Sequence, residues 1–454
     1  MNKKSIEKNY YDLIVVGAGS GGVRAARIAA NHGAKVAIIE SVRVGGTCVL
    51  RGCVPKKLLV YGSHIAQDIR DAEGFGWSFG SVKHDWSELI KAKNNELDRL
   101  NRVYLNILES AGVDIIYGFA KIIDKDKVEV NQRYYICEKI LIAVGGKPYL
   151  PQIVGNKHFI TSDDALELET FPKDILIYGG GYIALEFAGI FSTLGSKVSI
   201  IYRGESLLRG FDEDIRKNIS KELLIKKINI ITHSQILSLK NHNNRFEALL
   251  SNGKKMSADQ ILCATGRIPN TDGLGLSTIG VNIGPKGEVL VNKFNCSNIK
   301  NIYAVGDVTN RINLTPVAIA EGQRFADNIF GGQNIPCDRK NIPSAVFSQP
   351  AIGVVGYTEK EAVEKYKRKD GIIVFKTSFS PMKQTLSGGK TKIMVKMIVS
   401  KHNDRVIGIH AIGDDMPEII QLAAVAIRAG AKKSDFDTTM GIHPTAAEEM
   451  VTMK

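Results

Sequence analysis

The sequence has no apolar run long enough to cross a membrane, and its first ten residues mix charges without the apolar stretch of a secretory signal. We therefore expect a cytoplasmic protein with no membrane partner. Cysteine is scarce, with six in 454 residues, which excludes the disulfide scaffold of small secreted domains. We expect buried or incidental thiols at four scattered positions, which are Cys137, Cys263, Cys296 and Cys337.

The chain also lacks a block of basic residues, although Lys and Arg number 60 against 47 Asp and Glu and give a net charge of +13. Without a basic block, aromatic-basic interleaving or a helix-turn-helix pattern, nucleic-acid binding is not expected. The spread of charge instead predicts a basic surface that attracts anionic ligands. At this length, two to four domains are expected.

Two cysteines, Cys48 and Cys53, stand five positions apart in the run GGTCVLRGCVPKK. In a regular helix their Cα atoms would be roughly 9 Å apart, whereas a disulfide needs less than about 7 Å. Pairing them therefore requires a distorted turn, which Gly52 permits and Pro55 helps to shape. A strained, accessible bridge is readily reduced, which indicates redox catalysis. Two unpaired core thiols are the alternative; a zinc site is disfavoured, because no second cysteine pair follows, and no metal is predicted.

A nucleotide-binding pattern precedes the cysteines. Residues 13–16 read as an apolar strand, GAGSGG at 17–22 as a tight turn, and 23–31 as a helix that ends near Gly33. The next strand, 36–39, is closed by Glu40. The glycines allow the backbone to approach a pyrophosphate, the helix start attracts its charge, and Glu40 suits a ribose 2′-hydroxyl.

The same pattern returns at residues 175–203, with GGGYIA at 179–184 and the strand 198–201. Here Tyr202 replaces the closing acid, and Arg203 and Arg209 follow. Guanidinium groups bind a 2′-phosphate that a carboxylate would repel, so the second module predicts NADPH over NADH. Solvated loop arginines are the alternative.

Taken together, these motifs resemble the flavin-dependent pyridine-nucleotide disulfide oxidoreductases, over essentially the whole chain. Within that family they are similar to the glutathione reductases of the plant, cyanobacterial and proteobacterial branch. Further matching motifs are AVGG at 143–146, ATGR at 264–267, YAVGD at 303–307 and GIHPTAAEE at 441–449.

The resemblance implies an α/β fold with two Rossmann-like domains, binding FAD and NADPH, and a C-terminal α+β dimerisation domain. The implied domains are an FAD domain at 1–149, an NADPH domain at 150–270, a central domain at 271–340 and an interface domain at 341–454. A homodimer is implied in which each active site borrows the terminal histidine of the other subunit.

The resemblance also implies residue roles. Cys48 would attack the substrate disulfide and Cys53 would contact the flavin, while His443, oriented by Glu448, would be the acid/base. Lys56 and Glu186 resemble the family's charge pair beside the flavin, and Tyr182 resembles a movable lid.

Cofactor contacts follow from the same motifs. For FAD they are Gly17, Gly19, Ser20, Gly22, Glu40, Gly46, Thr47, Gly145, Asp307 and Thr315. For NADPH they are Gly179, Gly181, Tyr182, Ile183, Arg203, Arg209 and Gly266.

The implied substrate is glutathione disulfide, an anion, and its contacts would be Ser20, Arg24, Arg27 and Tyr104. Ile28 and Gln323 stand where some glutathione reductases carry arginine, and Arg24 could substitute for those contacts. The alternatives are reduction of another low-molecular-weight disulfide, a dihydrolipoamide dehydrogenase-like enzyme, a diaphorase that does not use the dithiol, or a flavoprotein whose role is binding.

Overall fold

The computed structural model describes residues 9–242, 245–366 and 371–454. These form two compact units. The first unit is built from the chain up to Lys56, from Ile90–Tyr149 and from Gly266–Arg339. The second consists of Lys57–Leu89, Leu150–Thr265 and Lys340–Lys454. The four domains implied by the sequence stay a prediction.

The strands, in chain order, are β1 Tyr10–Val16, β2 Val36–Glu40, β3 Asp114–Tyr117, β4 Ala120–Asp124, β5 Lys127–Val130, β6 Arg133–Ile142, β7 Gly146–Pro148, β8 Asp174–Tyr178, β9 Lys197–Ile201, β10 Asn229–Ile231, β11 Ile236–His242, β12 Arg245–Leu250, β13 Lys255–Ala258, β14 Gln260–Cys263, β15 Arg267–Pro269, β16 Ile302–Ala304, β17 Ser344–Val346, β18 Ile352–Gly356, β19 Ile372–Phe379, β20 Ile393–Ser400 and β21 Val406–Ile412.

The α-helices are α1 Ser20–Asn31, α2 Gly46–Leu50, α3 Cys53–Ala72, α4 Trp86–Ser110, α5 Ser162–Ala165, α6 Tyr182–Thr193, α7 Glu213–Ile225, α8 Thr315–Ile329, α9 Glu359–Tyr366, α10 Met382–Ser387, α11 Met416–Ala429, α12 Lys433–Thr438 and α13 Glu449–Thr452. Short 3₁₀ helices lie at Glu73–Phe75, Asn156–His158, Gly306–Thr309 and Ala446–Glu448.

The first unit is organised around a seven-stranded sheet in the order β3-β2-β1-β6-β5-β4, with β16 also paired to β6. Strands β1, β2, β3, β6 and β16 run parallel. Buried aliphatic side chains on β1 face both sides of this sheet, as expected for a parallel sheet covered on both faces. The helix α1 packs against β1, β2 and α8, so the βαβ module predicted from the first glycine loop is present.

The second unit repeats this module in a four-stranded parallel sheet of order β10-β9-β8-β14. The helix α6 follows β8, as predicted, and packs against β8 and β9. A three-stranded sheet, β11-β12-β13, shares a hydrophobic core with this module.

The C-terminal part of the second unit is a five-stranded antiparallel sheet, β17-β18-β21-β20-β19. Every residue of its strand β20 is buried, and α11 packs against β18 and β21. The α/β fold with two dinucleotide modules and a C-terminal α+β region is therefore confirmed.

Candidate active site

The first glycine loop forms a cradle that side chains would fill. Gly17 has φ of +104°, and a Cβ there would lie 2.6 Å from the carbonyl oxygen of Ala143. A Cβ on Gly46 would lie 2.6 Å from the Cα of Gly19. The backbone thus closes tightly around the N-terminus of α1, where helix N–H groups and the helix dipole favour a phosphate. This geometry fits the pyrophosphate of a bound dinucleotide.

Glu40 is held at the end of β2 by backbone donors. Its carboxylate accepts from the N–H of Ala18 and from the N–H of Val42, each at 2.9 Å. The side chain is thereby fixed at the wall of a cavity. This placement suits a hydrogen bond to a ribose hydroxyl.

One cavity in the first unit collects residues that are far apart in the sequence. It is lined by nearly all of the predicted FAD contacts, which are Gly17, Gly19, Ser20, Glu40, Gly46, Thr47, Gly145, Asp307 and Thr315. Gly22 does not line it; a Cβ on Gly22 would lie 2.0 Å from the carbonyl oxygen of Gly17, so this residue shapes the turn. The cavity also reaches Cys48. Its glycine cradle and its reach to Cys48 fit a flavin dinucleotide.

Further lining residues were not predicted from the sequence, namely Val42, Arg51, Phe119, Asn270, Leu274 and Ala318. Gly118, which has φ of +144° directly after β3, was a usable signal for the turn that carries Phe119. Asn270 reaches the site because its N–H donates to the carbonyl oxygen of Gly145 at 3.0 Å. That long-range contact has no local sequence pattern.

Asp307 lies in the 3₁₀ turn Gly306–Thr309, beside the ion-pair network that Glu321 forms with Arg311 and Arg339. Burial raises the pKa of its carboxyl, the Arg267 guanidinium opposes this shift, and the Glu321 carboxylate adds to it. Glu321 is 1% exposed and accepts from the N–H of Gly306 at 2.8 Å. The network therefore fixes the backbone immediately before Asp307.

The helix break predicted between the two cysteines is present. The helix α2 ends at Leu50, and α3 begins at Cys53. A side-chain hydrogen bond joins Cys48 to Cys53. The distorted turn thus brings the two sulfur atoms together, as disulfide formation requires.

The pKa of the Cys48 thiol is shifted by the groups around it. The hydrogen bond to Cys53 and, next, burial raise its pKa far above the ordinary value, while hydroxyl groups of Thr315 and Ser20 act to lower it. Thr315 Oγ1 also lies 3.5 Å from Cys53 Sγ. Thr315 is the first residue of α8, whose positive N-terminal end favours an anionic sulfur.

Two of the four predicted substrate residues, Ser20 and Tyr104, interact with Cys48, and Arg24 interacts with Tyr104. Arg27 is half-buried in α1. Burial raises the pKa of Tyr104, the nearby Cys48 adds to this shift, and Arg24 opposes it. Arg24 donates from Nη1 to Oε1 of Gln323 at 3.3 Å, and Gln323 Nε2 donates to both carboxylate oxygens of Asp327 at 3.1 Å. Arg24 is therefore linked to Cys48 through Tyr104, and Gln323 orients the arginine.

The second glycine loop repeats the first. Gly179 has φ of +145°, and a Cβ there would lie 2.2 Å from the carbonyl oxygen of Ala264. Gly17 makes the equivalent close approach to the carbonyl oxygen of Ala143. A Cβ on Gly181 meets nothing within 4 Å, so the face ahead of α6 is open. This loop fits a second dinucleotide.

The residues predicted to contact NADPH are only partly gathered at this loop. Ile183 is half-buried in the first turn of α6, and Tyr182 is 45% exposed. Arg203 and Arg209 are exposed on the loop after β9. Gly266 belongs to the first unit, where its carbonyl accepts from the N–H of Tyr149.

His443 and Glu448 form the predicted pair. His443 Nδ1 lies 3.2 Å from both carboxylate oxygens of Glu448. The His443 side chain is 81% exposed and that of Glu448 is 18% exposed. Because Nδ1 faces the carboxylate, Nε2 is directed away from it and is available for proton transfer.

Lys56 and Glu186 belong to different units, and their pairing stays a prediction. Both are buried, at 9% and 3% exposure. Glu186 Oε1 accepts from the N–H of Phe347 at 2.9 Å.

Comparison with protein-family models identifies the chain. Residues 11–322 match the model described as pyridine nucleotide-disulphide oxidoreductase. The chain belongs to this family. Residues 342–454 match the family's dimerisation domain.

Curated relatives in this family align over nearly the whole chain. A glutathione reductase of Burkholderia cepacia is 47% identical over 99% of this chain and 99% of its own length. A glutathione reductase of Nostoc sp. is 46% identical over 98% of this chain and 99% of its own length. The chloroplastic/mitochondrial glutathione reductase of Pisum sativum is 46% identical over 98% of this chain and 82% of its own length.

Within the described residues, no helix has both the length and the apolar composition needed to span a membrane.

Proposed function

We propose that this chain is an NADPH-dependent flavoprotein that reduces glutathione disulfide to two molecules of glutathione. The observation that carries the proposal is the cavity of the first unit, whose dinucleotide cradle reaches Cys48. Cys48 is hydrogen-bonded to Cys53 and interacts with Tyr104, which also interacts with Arg24. The relatives that align over almost the full chain, glutathione reductases in three organisms, support the choice of substrate.

Gly17, Gly19 and Glu40 of the cradle would hold FAD, and the bound cofactor would supply the transfer of an electron pair from NADPH to the Cys48–Cys53 disulfide. In the reduced pair, the Cys48 thiolate attacks one sulfur of glutathione disulfide, and the first glutathione leaves as a thiolate. A mixed disulfide then joins Cys48 to the second glutathione. Cys53 attacks Cys48 in that mixed disulfide, which releases the second glutathione and restores the internal disulfide.

Proton transfer accompanies each departure of glutathione. We assign this role to Nε2 of the partner subunit's His443, because the Glu448 carboxylate holds Nδ1 and orients the ring. The assignment rests on a homodimer with shared active sites. The match to the dimerisation domain supports the dimer, and the sharing of active sites is part of the proposal. The cytoplasmic location stays a prediction.

The reductant is assigned from the second glycine loop. Arg203 and Arg209 lie exposed on the loop that follows β9, where a carboxylate would otherwise receive a ribose hydroxyl. Their positive charge attracts the 2′-phosphate that distinguishes NADPH from NADH. We also retain the implied division into an FAD domain at 1–149, an NADPH domain at 150–270, a central domain at 271–340 and an interface domain at 341–454.

The test is the oxidation of NADPH by the purified yellow protein with glutathione disulfide, lipoamide and trypanothione disulfide in parallel. We expect rapid turnover with glutathione disulfide and little with the others. Turnover only with another disulfide would overturn the substrate while keeping the dithiol mechanism. A Cys48→Ser variant that still reduced glutathione disulfide would overturn the mechanism itself.

A further inference from the structure

Lys396 is a buried lysine in the second unit that the proposed reaction does not use. It lies in β20 with its side chain 1% exposed. Its Nζ donates to Oδ1 of Asp212 at 2.8 Å, to Oδ2 of Asp214 at 2.8 Å and to Oε2 of Glu359 at 2.7 Å. An ammonium group has three N–H donors, so this network, which we call the Lys396 cluster, satisfies all of them.

The hydrogen bonds within the Lys396 cluster offset the cost of burying its charged groups. Burial acts to lower the pKa of Lys396, but the hydrogen bonds from its ammonium to the three carboxylates more than offset this and raise the pKa. Burial raises the pKa of the Asp212 carboxyl, yet hydrogen bonds from the Glu359 N–H and from Lys396 bring it below its ordinary value. Lys396, Asp212 and Asp214 therefore stay ionised at neutral pH, and removing Lys396 would leave buried negative charge unneutralised.

Asp212 connects this cluster to the loop that carries the two arginines. It follows Arg209 by three positions and forms the N-cap of α7, with Oδ1 accepting from the N–H of Asp214 at 3.0 Å. Its Oδ2 accepts from the N–H of Glu359 at 3.0 Å. Asp212, at the C-terminal end of the loop that carries Arg203 and Arg209, is thus fixed by three donors: the N–H groups of Asp214 and Glu359 and Nζ of Lys396.

The middle of the loop is held against the nucleotide-binding glycines. The N–H of Leu208, next to Arg209, donates to the carbonyl oxygen of Gly180 at 2.7 Å. Arg216 in α7 donates to the carbonyl oxygens of Leu207 and Ser206, each at 2.8 Å. A shift of the α7 N-terminus would therefore be transmitted through these bonds to the position of Arg209.

We propose that Lys396, from the C-terminal sheet, is a positioning residue for recognition of the nucleotide 2′-phosphate. It acts through Asp212, which sets the loop that presents Arg203 and Arg209. This inference rests on the proposed function, in which those arginines bind the 2′-phosphate of NADPH. It assigns to the antiparallel sheet a part in nucleotide selection.

The experiment measures binding of two fragments by isothermal titration calorimetry on the FAD-loaded protein: adenosine 2′,5′-bisphosphate and 5′-AMP. Lys396→Met is expected to raise the Kd for adenosine 2′,5′-bisphosphate at least fivefold and the Kd for 5′-AMP less than twofold. In turnover, KM for NADPH should rise by a similar factor, with KM for NADH and for glutathione disulfide unchanged.

Lys376→Met is the matched control. Lys376 also pairs with Asp214, at 3.1 Å, but it is 49% exposed and no bond of the described structure joins it to Asp212. It should change bisphosphate binding less than 1.5-fold. Should Lys396→Met fail to fold, Glu359→Gln serves in its place, because the Glu359 side chain is 39% exposed and its loss leaves Lys396 paired with Asp212 and Asp214. Glu359→Gln is expected to raise the Kd for the bisphosphate twofold to threefold and to leave the Kd for 5′-AMP unchanged.

A double-mutant cycle tests the route. If Lys396 acts through the arginines, Lys396→Met and Arg209→Met together should weaken bisphosphate binding by clearly less than the product of their separate factors. Full additivity, equal weakening of both fragments, or no effect of either cluster variant would overturn the inference. A wild-type protein that does not distinguish the two fragments would instead overturn the assignment of Arg203 and Arg209.

Discussion

Cys53 Sγ lies 3.5 Å from Oγ1 of Thr315, the first residue of helix α8. The same threonine hydroxyl also hydrogen-bonds Cys48 and acts to lower the pKa of its thiol. One side chain at a helix N-terminus therefore contacts both sulfur atoms of the dithiol. The contact places the pair where the helix dipole and a hydroxyl donor both favour a thiolate.

Thr315→Val is expected to raise the pKa of the Cys48 thiol further, because the substitution removes a hydrogen bond that favours the anion. The curve of alkylation rate against pH for reduced protein should move to higher pH by about half a unit to one unit. Iodoacetamide labelling of Cys48, followed by peptide mass analysis, measures this curve. Thr278→Val, at an exposed position of the same unit, should leave it in place; an unmoved curve in Thr315→Val would contradict the role of the hydroxyl.

Arg24→Ala is expected to raise KM for glutathione disulfide about tenfold, which corresponds to the loss of one charge-assisted hydrogen bond. The reduction of the protein by NADPH should be unaffected, because Arg24 interacts with Gln323 and with Tyr104, a predicted substrate contact. Steady-state KM and stopped-flow reduction by NADPH separate the two steps. Arg99→Ala removes an exposed arginine, paired with Glu96, from the same unit and serves as the control; an unchanged KM in Arg24→Ala would rule out the substrate contact.

Arg203→Ala and Arg209→Ala are each expected to raise KM for NADPH by roughly tenfold or more, since each loses a charge-assisted contact with the 2′-phosphate. KM for NADH, which lacks that phosphate, should change less than twofold. Arg245→Ala, which removes a partly exposed arginine paired with Asp174, should alter neither value. Equal loss with both nucleotides would point to a general electrostatic effect instead of phosphate recognition.

Mixed dimers test whether the active site is shared. Coexpressed Cys48→Ser and His443→Ala subunits form hybrids in which one site combines an intact Cys48 with the partner subunit's His443. With random pairing, half of the dimers are hybrids with one of two sites intact, so activity should recover to about a quarter of the wild-type value. Each variant alone should lose activity by at least roughly a hundredfold. No recovery in the purified hybrid would show that each site is complete within one chain.

The sequence was sufficient to predict the local motifs of the fold. Glycine loops between an apolar strand and a helix recur in two places, and both fold as βαβ modules in which Gly17 and Gly179 make the same close approach to a facing carbonyl. Glu40 was likewise predictable, because the end of a parallel strand beside a glycine loop fixes its position. The βαβ modules and the position of Glu40 depend mainly on the apolar periodicity and the glycine spacing of short segments, which the sequence shows directly.

Contacts between segments that are distant in the sequence could not be predicted from local patterns. The Arg24–Gln323 hydrogen bond joins positions 299 residues apart, and the Lys396–Asp212 pair spans 184 residues. A lysine among the apolar residues of a buried strand indicates an ion pair but does not identify its partner. Gly266 belongs to the compact unit of the first module, and its contact with NADPH stays a prediction.

The most direct measurement is the site of glutathionylation in a Cys53→Ser variant. This variant is reduced, desalted and mixed with one equivalent of glutathione disulfide, and its peptides are then mapped by mass spectrometry. Because Cys48 is the proposed attacking thiol and its resolving partner is absent, one glutathionyl group should accumulate on Cys48 while one glutathione is released. A Cys53→Ser protein that stays unmodified, or that carries the group on Cys296 or Cys337 instead, would contradict the proposed reaction.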